Sequence, residues 1–241
     1  MTLVPTSRLV EQPVFILSSI RSGSTLLRCI LNSHPQIVAP HELHLVDVGA
    51  STTSRYAELA MEAAGLTNRE IEHLLWDRIL HRTLVASGKE IIVDKTPSYA
   101  LHWRRLGESW PSARFIFLLR DPADILASAY EATPDRSRDD TAYVVGSLID
   151  GVQDAQEHLA GHDVRYEDLA NDPERTTKEL CSFLGVEFES EMLQYTVPDV
   201  LIPGIGDFTQ KIRTGQVLPP RRYDGTAEPS VARLRRRWGY A

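Results

Sequence analysis

Residues 14–18, VFILS, set four apolar side chains in a row and run straight into SIRSGST. There one glycine, one arginine and four hydroxyls precede the Leu-rich stretch LLRCILN. A strand without polar alternation is buried on both faces, which a parallel sheet covered by helices provides. Three further runs fit the same role: EIIVD (90–94), RFIFLL (114–119) and, more weakly, DVRYE (163–167). Helical spacing fills 24–32, 55–64, 69–86, 122–132, 141–160 and 173–184. Asp121 before Pro122, and Asp172 before Pro173, read as a cap followed by proline at the first helical position. The expected fold is therefore α/β: a P-loop-like three-layer arrangement, with a central parallel β-sheet flanked by helices. Ligands of such sheets sit beyond the carboxyl ends of the strands. That rule gathers the loop 18–25, Lys95, Arg120 and Glu167 on one rim.

The 241 residues are expected to form a single domain. Two segments, 45–88 and the Gly- and Pro-rich 198–226, are candidate covers over the site. A net charge of −7 argues against a nucleic-acid partner, which would want a basic surface. It still permits a few converging cations to hold an anion. The first residues, MTLVPTSRLVEQP, contain no long apolar stretch, so neither signal peptide nor membrane anchor is expected, and the setting is read as cytoplasmic. Cys29 and Cys181 have no metal-ligand spacing and read as buried free thiols. The basic run RLRRRW (233–238) reads as a solvated helix end.

The loop has the layout of a Walker A element, G-x-x-x-x-G-K-[ST], but not its lysine. Aligned on it, Gly23 takes the second glycine, Thr25 the final hydroxyl and Ser24 the lysine position, while the nearest cation is Arg21. Backbone N–H groups at the start of the following helix would still bind an anion, and Arg21 could add a two-pronged contact. An ATP-dependent kinase or nucleotidase is the alternative reading, weakened by the missing lysine.

PVFILSSIRSGSTLLRCILNSHPQIVAPHELHL (13–45) resembles the 5′-phosphosulfate loop region of sulfotransferases that use 3′-phosphoadenosine-5′-phosphosulfate (PAPS). The resemblance is closest to the sulfotransferase domains of bacterial polyketide assembly lines and more distant to tyrosylprotein sulfotransferases. Three more segments are similar to family elements in the same order: VDKTPSY (93–99), FIFLLRDPADILASAY (115–130) and VRYEDLANDP (164–173). The resemblance implies that Arg21, Ser22, Gly23, Ser24 and Thr25 hold the phosphosulfate. It implies that Arg120 and Ser128 grip the 3′-phosphate, joined by Lys211 and Arg213 from GIGDFTQKIR (204–213). Lys95 and Arg21 would steady charge growing on the bridging oxygen, with no metal required.

The general base is sought in PHELHL (40–45). In the polyketide enzymes the histidine matching His44 is implicated; in the tyrosylprotein enzymes it is the acidic residue matching Glu42. Histidine is the readier proton acceptor near neutral pH, so His44 leads, with Glu42 orienting it or the substrate. An extended backbone would put residues 42 and 44 on one side. His34 is read as ending the first helix, and Tyr166–Glu167–Asp168 as organising the rim. The implied reaction is sulfuryl transfer to an alcohol, either a small molecule or a β-hydroxyacyl chain on an acyl carrier protein, in secondary metabolism. The stretch between His44 and Glu90 is shorter than the helical insert of those relatives.

Overall fold

Strand β1 (Val14–Ser18) leads into helix α1 (Ser24–Asn32), and the chain returns through the short strand β2 (Ile37–Val38). Helices α2 (Arg55–Ala63) and α3 (Asn68–Ser87) precede β3 (Ile91–Lys95), and α4 (Tyr99–Ser109) precedes β4 (Arg114–Leu119). Next come α5 (Pro122–Ala132), α6 (Arg138–His158), β5 (Gly161–Arg165), α7 (Tyr166–Asn171) and α8 (Pro173–Leu184), and then α9 (Pro229–Arg237). The computed structural model describes residues 8–195, 211–220, 222 and 229–240. The five strands form one sheet, all pairs parallel, in the order β2-β3-β1-β4-β5.

Strand pleat sends alternate side chains to opposite faces. Phe15 and Leu17 join Phe115, Phe117 and Leu119 in a core with Trp76, Trp103, Ile125 and Ile149. Val14 and Ile16 join Ile116, Leu118 and Val164 in a second core with Leu27, Ile30, Leu180 and Leu184. Each such side chain contributes about 1.5–3 kcal/mol on burial, which is why these strands carry no polar alternation. Cys29 and Cys181 are buried free thiols within the second core.

Lys89 closes the α1–β2 turn, its ammonium donating to the carbonyls of Asn32 (2.7 Å), His34 (3.0 Å) and Ile37 (2.9 Å). These carbonyls lie at and beyond the helix end, where no intrahelical donor remains for them. Burial pulls its pKa below the ordinary lysine value.

The sheet departs from the sequence expectation at its ends. The weak run at 163–167 is a strand only to Arg165, and Tyr166 already begins α7. Glu167 and Asp168 in the first turn favour that helix by interacting with its positive end. Helix α4, to which no sequence signal points, starts after Ser98 and packs Tyr99, Ala100, Trp103 and Leu106 inward. Asp121 and Asp172 cap their helices as expected, accepting from Ala123 N and Arg175 N. Among the described residues no helix is long and apolar enough to cross a membrane.

Helices α4 and α6 meet so closely at Gly151 that an added Cβ would sit 2.4 Å from the Ala100 carbonyl oxygen. Backbone there cannot yield as a flexible side chain would. Gly151→Ala should therefore destabilise the fold by about 1–3 kcal/mol, the usual scale of overpacking, read as a lower midpoint in urea denaturation.

Candidate active site

The β1–α1 loop owes its shape to two residues in left-handed backbone, Arg21 (φ 60°) and Gly23 (φ 92°). Gly23 has a second reason to lack a side chain: an added Cβ would stand 2.3 Å from Tyr166 Cδ2. The Ser22 hydroxyl donates to Ser19 O (2.7 Å) and tightens the turn. Among the described residues no side chain caps α1 at Gly23, so the first-turn N–H groups are left to a ligand or solvent. Ser24 is buried beside them and Thr25 half-buried. Ser18 and Ser19, missed as individual groups by sequence reasoning, are fully buried; their hydroxyls have no hydrogen-bond partner among the described residues. Buried hydroxyls are normally paired.

Arg120 leaves the end of β4 buried, and its Nη1 donates to Arg21 O (2.7 Å). Its guanidinium lies 4.5 Å from the Tyr166 ring centroid, a cation–π distance. Arg21 Nε donates to Ser128 Oγ at 3.2 Å. Arg21 is thus brought to Arg120 and Ser128, which lie 99 and 107 residues further along the chain. Lys211 and Arg213 fall in a short 3₁₀ turn, Lys211–Thr214, anchored by buried Ile212. Arg213 is exposed, while the side chain of Lys211 and most of 198–226 lie outside the described residues.

At the end of β3 the chain holds the 42–45 loop almost residue for residue. Lys95 pairs with Glu42, their side chains 2% and 7% exposed. Asp94 Oδ1 accepts from Leu43 N (3.4 Å) and Lys95 N (2.8 Å). Thr96 Oγ1 accepts from His44 N (3.2 Å), and Tyr99 Oη accepts from Leu45 N (3.2 Å) while donating to Asp94 Oδ2. From the α1 side, buried Arg28 donates to Ala39 O (3.1 Å). The loop is not extended as expected: His44 is left-handed (φ 51°) and starts a 3₁₀ turn, Leu45–Asp47. The imidazole nevertheless faces Glu42, with Nε2 3.3 Å from Glu42 Oε2 but out of hydrogen-bond alignment. Nδ1 lies 3.2 Å from Asp47 Oδ2.

Burial sets the electrostatics. It pushes the Asp94 carboxyl up to about 6, against the pull of Tyr99 and the two backbone donors. It draws Lys95 below the ordinary lysine value, with Glu42 opposing. His41 is lowered by burial and then by the Arg28 charge.

Residues 13–190 match the model of a sulfotransferase family. The chain belongs to that family. The solved sulfotransferase domain of the Synechococcus PCC 7002 olefin synthase is 25% identical, with a TM-score of 0.67, covering 96% of this chain and 96% of that one. A sulfotransferase domain from the curacin biosynthetic pathway shares the fold at 21% identity and a TM-score of 0.65, covering 95% of this chain and 98% of that one. Nodulation protein NoeE of Sinorhizobium fredii is 28% identical over 72% of this chain. The chain spans half the length of that curated relative.

Around this candidate site, sequence reasoning named the motif residues but not the groups that hold them. Arg28 stands in the quoted run RSGSTLLR, and a charge inside an apolar helix was the signal for it. Asp94, Thr96 and Tyr99 lie in VDKTPSY, but nothing in the sequence pairs them with 43–45.

Burial of Asp94 couples folding to pH. Its folded value lies above the unfolded 3.8, so its stabilising contribution is complete below about pH 4 and is lost as pH rises through about 6. Asp94→Asn does not titrate. Relative to that variant, wild type should lose about 1 kcal/mol between pH 5 and pH 7 and nothing further to pH 8, measured by chemical denaturation.

Proposed function

We propose that this chain is a PAPS-dependent O-sulfotransferase, moving a sulfuryl group to the hydroxyl of a small-molecule or carrier-bound β-hydroxyacyl substrate. The carrying observation is the pairing of two half-sites on one rim. Arg120 donates to the Arg21 carbonyl and Arg21 to Ser128 beside the uncapped start of α1, and Lys95 meets Glu42 beside His44. Parallel register makes the halves neighbours, since Lys95 stands opposite Ile16 and Ser18 opposite Leu118.

The residues fit the donor. The orphan hydroxyls of Ser18 and Ser19 and the α1 N–H groups suit a 5′-phosphosulfate, with Ser22, Ser24, Thr25 and Arg21 around it. Arg120 and Ser128 suit the 3′-phosphate, and Lys211 and Arg213 are candidates to join them. The donor supplies a sulfuryl group on a good phosphate leaving group.

On the acceptor side, Nδ1 of His44 lies 3.2 Å from Asp47 Oδ2; with the ring proton on that nitrogen, the Nε2 lone pair is left to take the acceptor proton. As the imidazolium forms, Glu42 at 3.3 Å stabilises it. Lys95, kept beside Glu42 at the end of β3, would supply positive charge for the departing oxygen. The new S–O bond forms to the acceptor oxygen, the bond to the 5′-phosphate breaks, and the proton rests on His44.

A carrier-bound acceptor draws support from likeness to domains of an olefin synthase and of the curacin pathway. His44→Ala should lower kcat by about 10²–10⁴-fold, with the affinity for adenosine 3′,5′-bisphosphate kept, in calorimetry alongside a sulfate-transfer assay on free and acyl-carrier-bound alcohols. Turnover of magnesium-ATP without any response to PAPS would overturn the proposal in favour of a kinase or nucleotidase.

A further inference from the structure

Helix α9 does not end in solvent, contrary to the reading of 233–238. Val231, Leu234 and Trp238 are buried against α5 and α6. Arg233 and Arg237 form exposed pairs with Asp150 and Glu157, but Arg235 turns to the rim. Its Nε and Nη2 donate to the two oxygens of Asp121, at 2.8 and 2.9 Å. Asp121 directly follows Arg120, and its Oδ1 also caps α5 through Ala123 N (2.9 Å). The backbone N–H of Asp121 donates to Glu167 Oε1 (3.0 Å), and Glu167 Oε2 accepts from Tyr240 Oη (2.7 Å). Arg165 Nη2 donates to Trp238 O (2.6 Å), and its guanidinium lies 4.7 Å from the Tyr240 ring centroid. Tyr166, between Arg165 and Glu167, is the ring beneath Arg120 and the wedge against Gly23.

We propose that α9 and the turn after it position the 3′-phosphate grip, with Arg235 and Tyr240 as positioning residues acting through Asp121 and Glu167. The proposal rests on the PAPS reading. The tail fixes both the backbone that carries Arg120 and the helix start that carries Tyr166. A bidentate arginine–carboxylate contact sets an angle as well as a distance. If Arg235 is lost, Arg120 keeps its charge but not its aim. The loss should therefore fall on the 3′-phosphate and spare the rest of the nucleotide.

The test compares adenosine 3′,5′-bisphosphate with adenosine 5′-phosphate by calorimetry on the full chain. Arg235→Gln should weaken the bisphosphate about tenfold, as expected for one lost charge-assisted contact, and leave the monophosphate within about twofold. Arg235→Lys should recover part of the difference. Tyr240→Phe, which removes a single hydroxyl, should give about a threefold loss of the same selectivity. Should Arg235→Gln fail to fold, Tyr240→Phe decides alone. An unchanged ratio of the two affinities, or an equal fall in both, reduces α9 to a structural element and overturns the proposal. A wild-type protein that does not prefer the bisphosphate overturns the PAPS reading itself, and this inference with it.

Discussion

A lysine ammonium that is 2% exposed must have a partner, because a lone charge in a protein interior is too costly to keep. Lys95 is brought inside by the sheet, as the last residue of β3 opposite Ile16. Glu42 meets it, and that contact brings the 40–45 loop to the strand end. Asp94, Thr96 and Tyr99 then fix the loop by taking up the backbone donors of Leu43, His44 and Leu45. The ion pair alone would leave the loop free to rotate about one side chain. The three backbone contacts remove that freedom and set the imidazole where it lies.

The β1–α1 loop is organised differently. Its anchor is an aromatic ring rather than an ion pair. Tyr166 lies under the Arg120 guanidinium and fills the space that a side chain at residue 23 would occupy. A glycine in left-handed backbone, a ring from the start of α7 and an arginine from the end of β4 therefore constrain each other. Arg120 completes the circuit by donating to the Arg21 carbonyl. The shape of the loop thus depends on residues far along the chain as much as on its own glycine.

What could be read from the sequence follows from how local each cause is. Strands β1 and β4 show as unbroken apolar runs because both faces are buried, and their limits are as expected. Strand β5 reads GHDVR at the sheet edge, where only Val164 is fully buried, so hydrophobicity could not mark its limits. Helix α4 interleaves Arg104 and Arg105 with its buried face, and its role in holding Leu45 through Tyr99 comes from tertiary contact. The left-handed turn at His44 has no signature in a non-glycine residue. Site residues in contiguous motifs were legible, because loop, cation and hydroxyl sit together. Arg28 on Ala39 and Arg235 on Asp121 were not, because 11 and 114 residues separate the partners and only the fold brings them together.

The surroundings of Asp94 bear on the choice between sulfuryl transfer and a nucleotide-hydrolysing P-loop enzyme. An aspartate at the end of a neighbouring strand is where a Walker-type site would find its carboxylate for magnesium. Here Oδ1 receives two backbone N–H groups and Oδ2 receives the Tyr99 hydroxyl, in a side chain whose residue is 1% exposed. Burial favours its neutral form, the reverse of what a divalent ligand needs. The carboxylate is engaged in holding the 40–45 loop, and the lysine beside it is tied to that same loop instead of the β1–α1 loop. Relative to a Walker site, the aspartate and the lysine both engage the 40–45 loop rather than the β1–α1 loop. That shift suits a donor with less terminal charge and an acceptor whose proton must be removed.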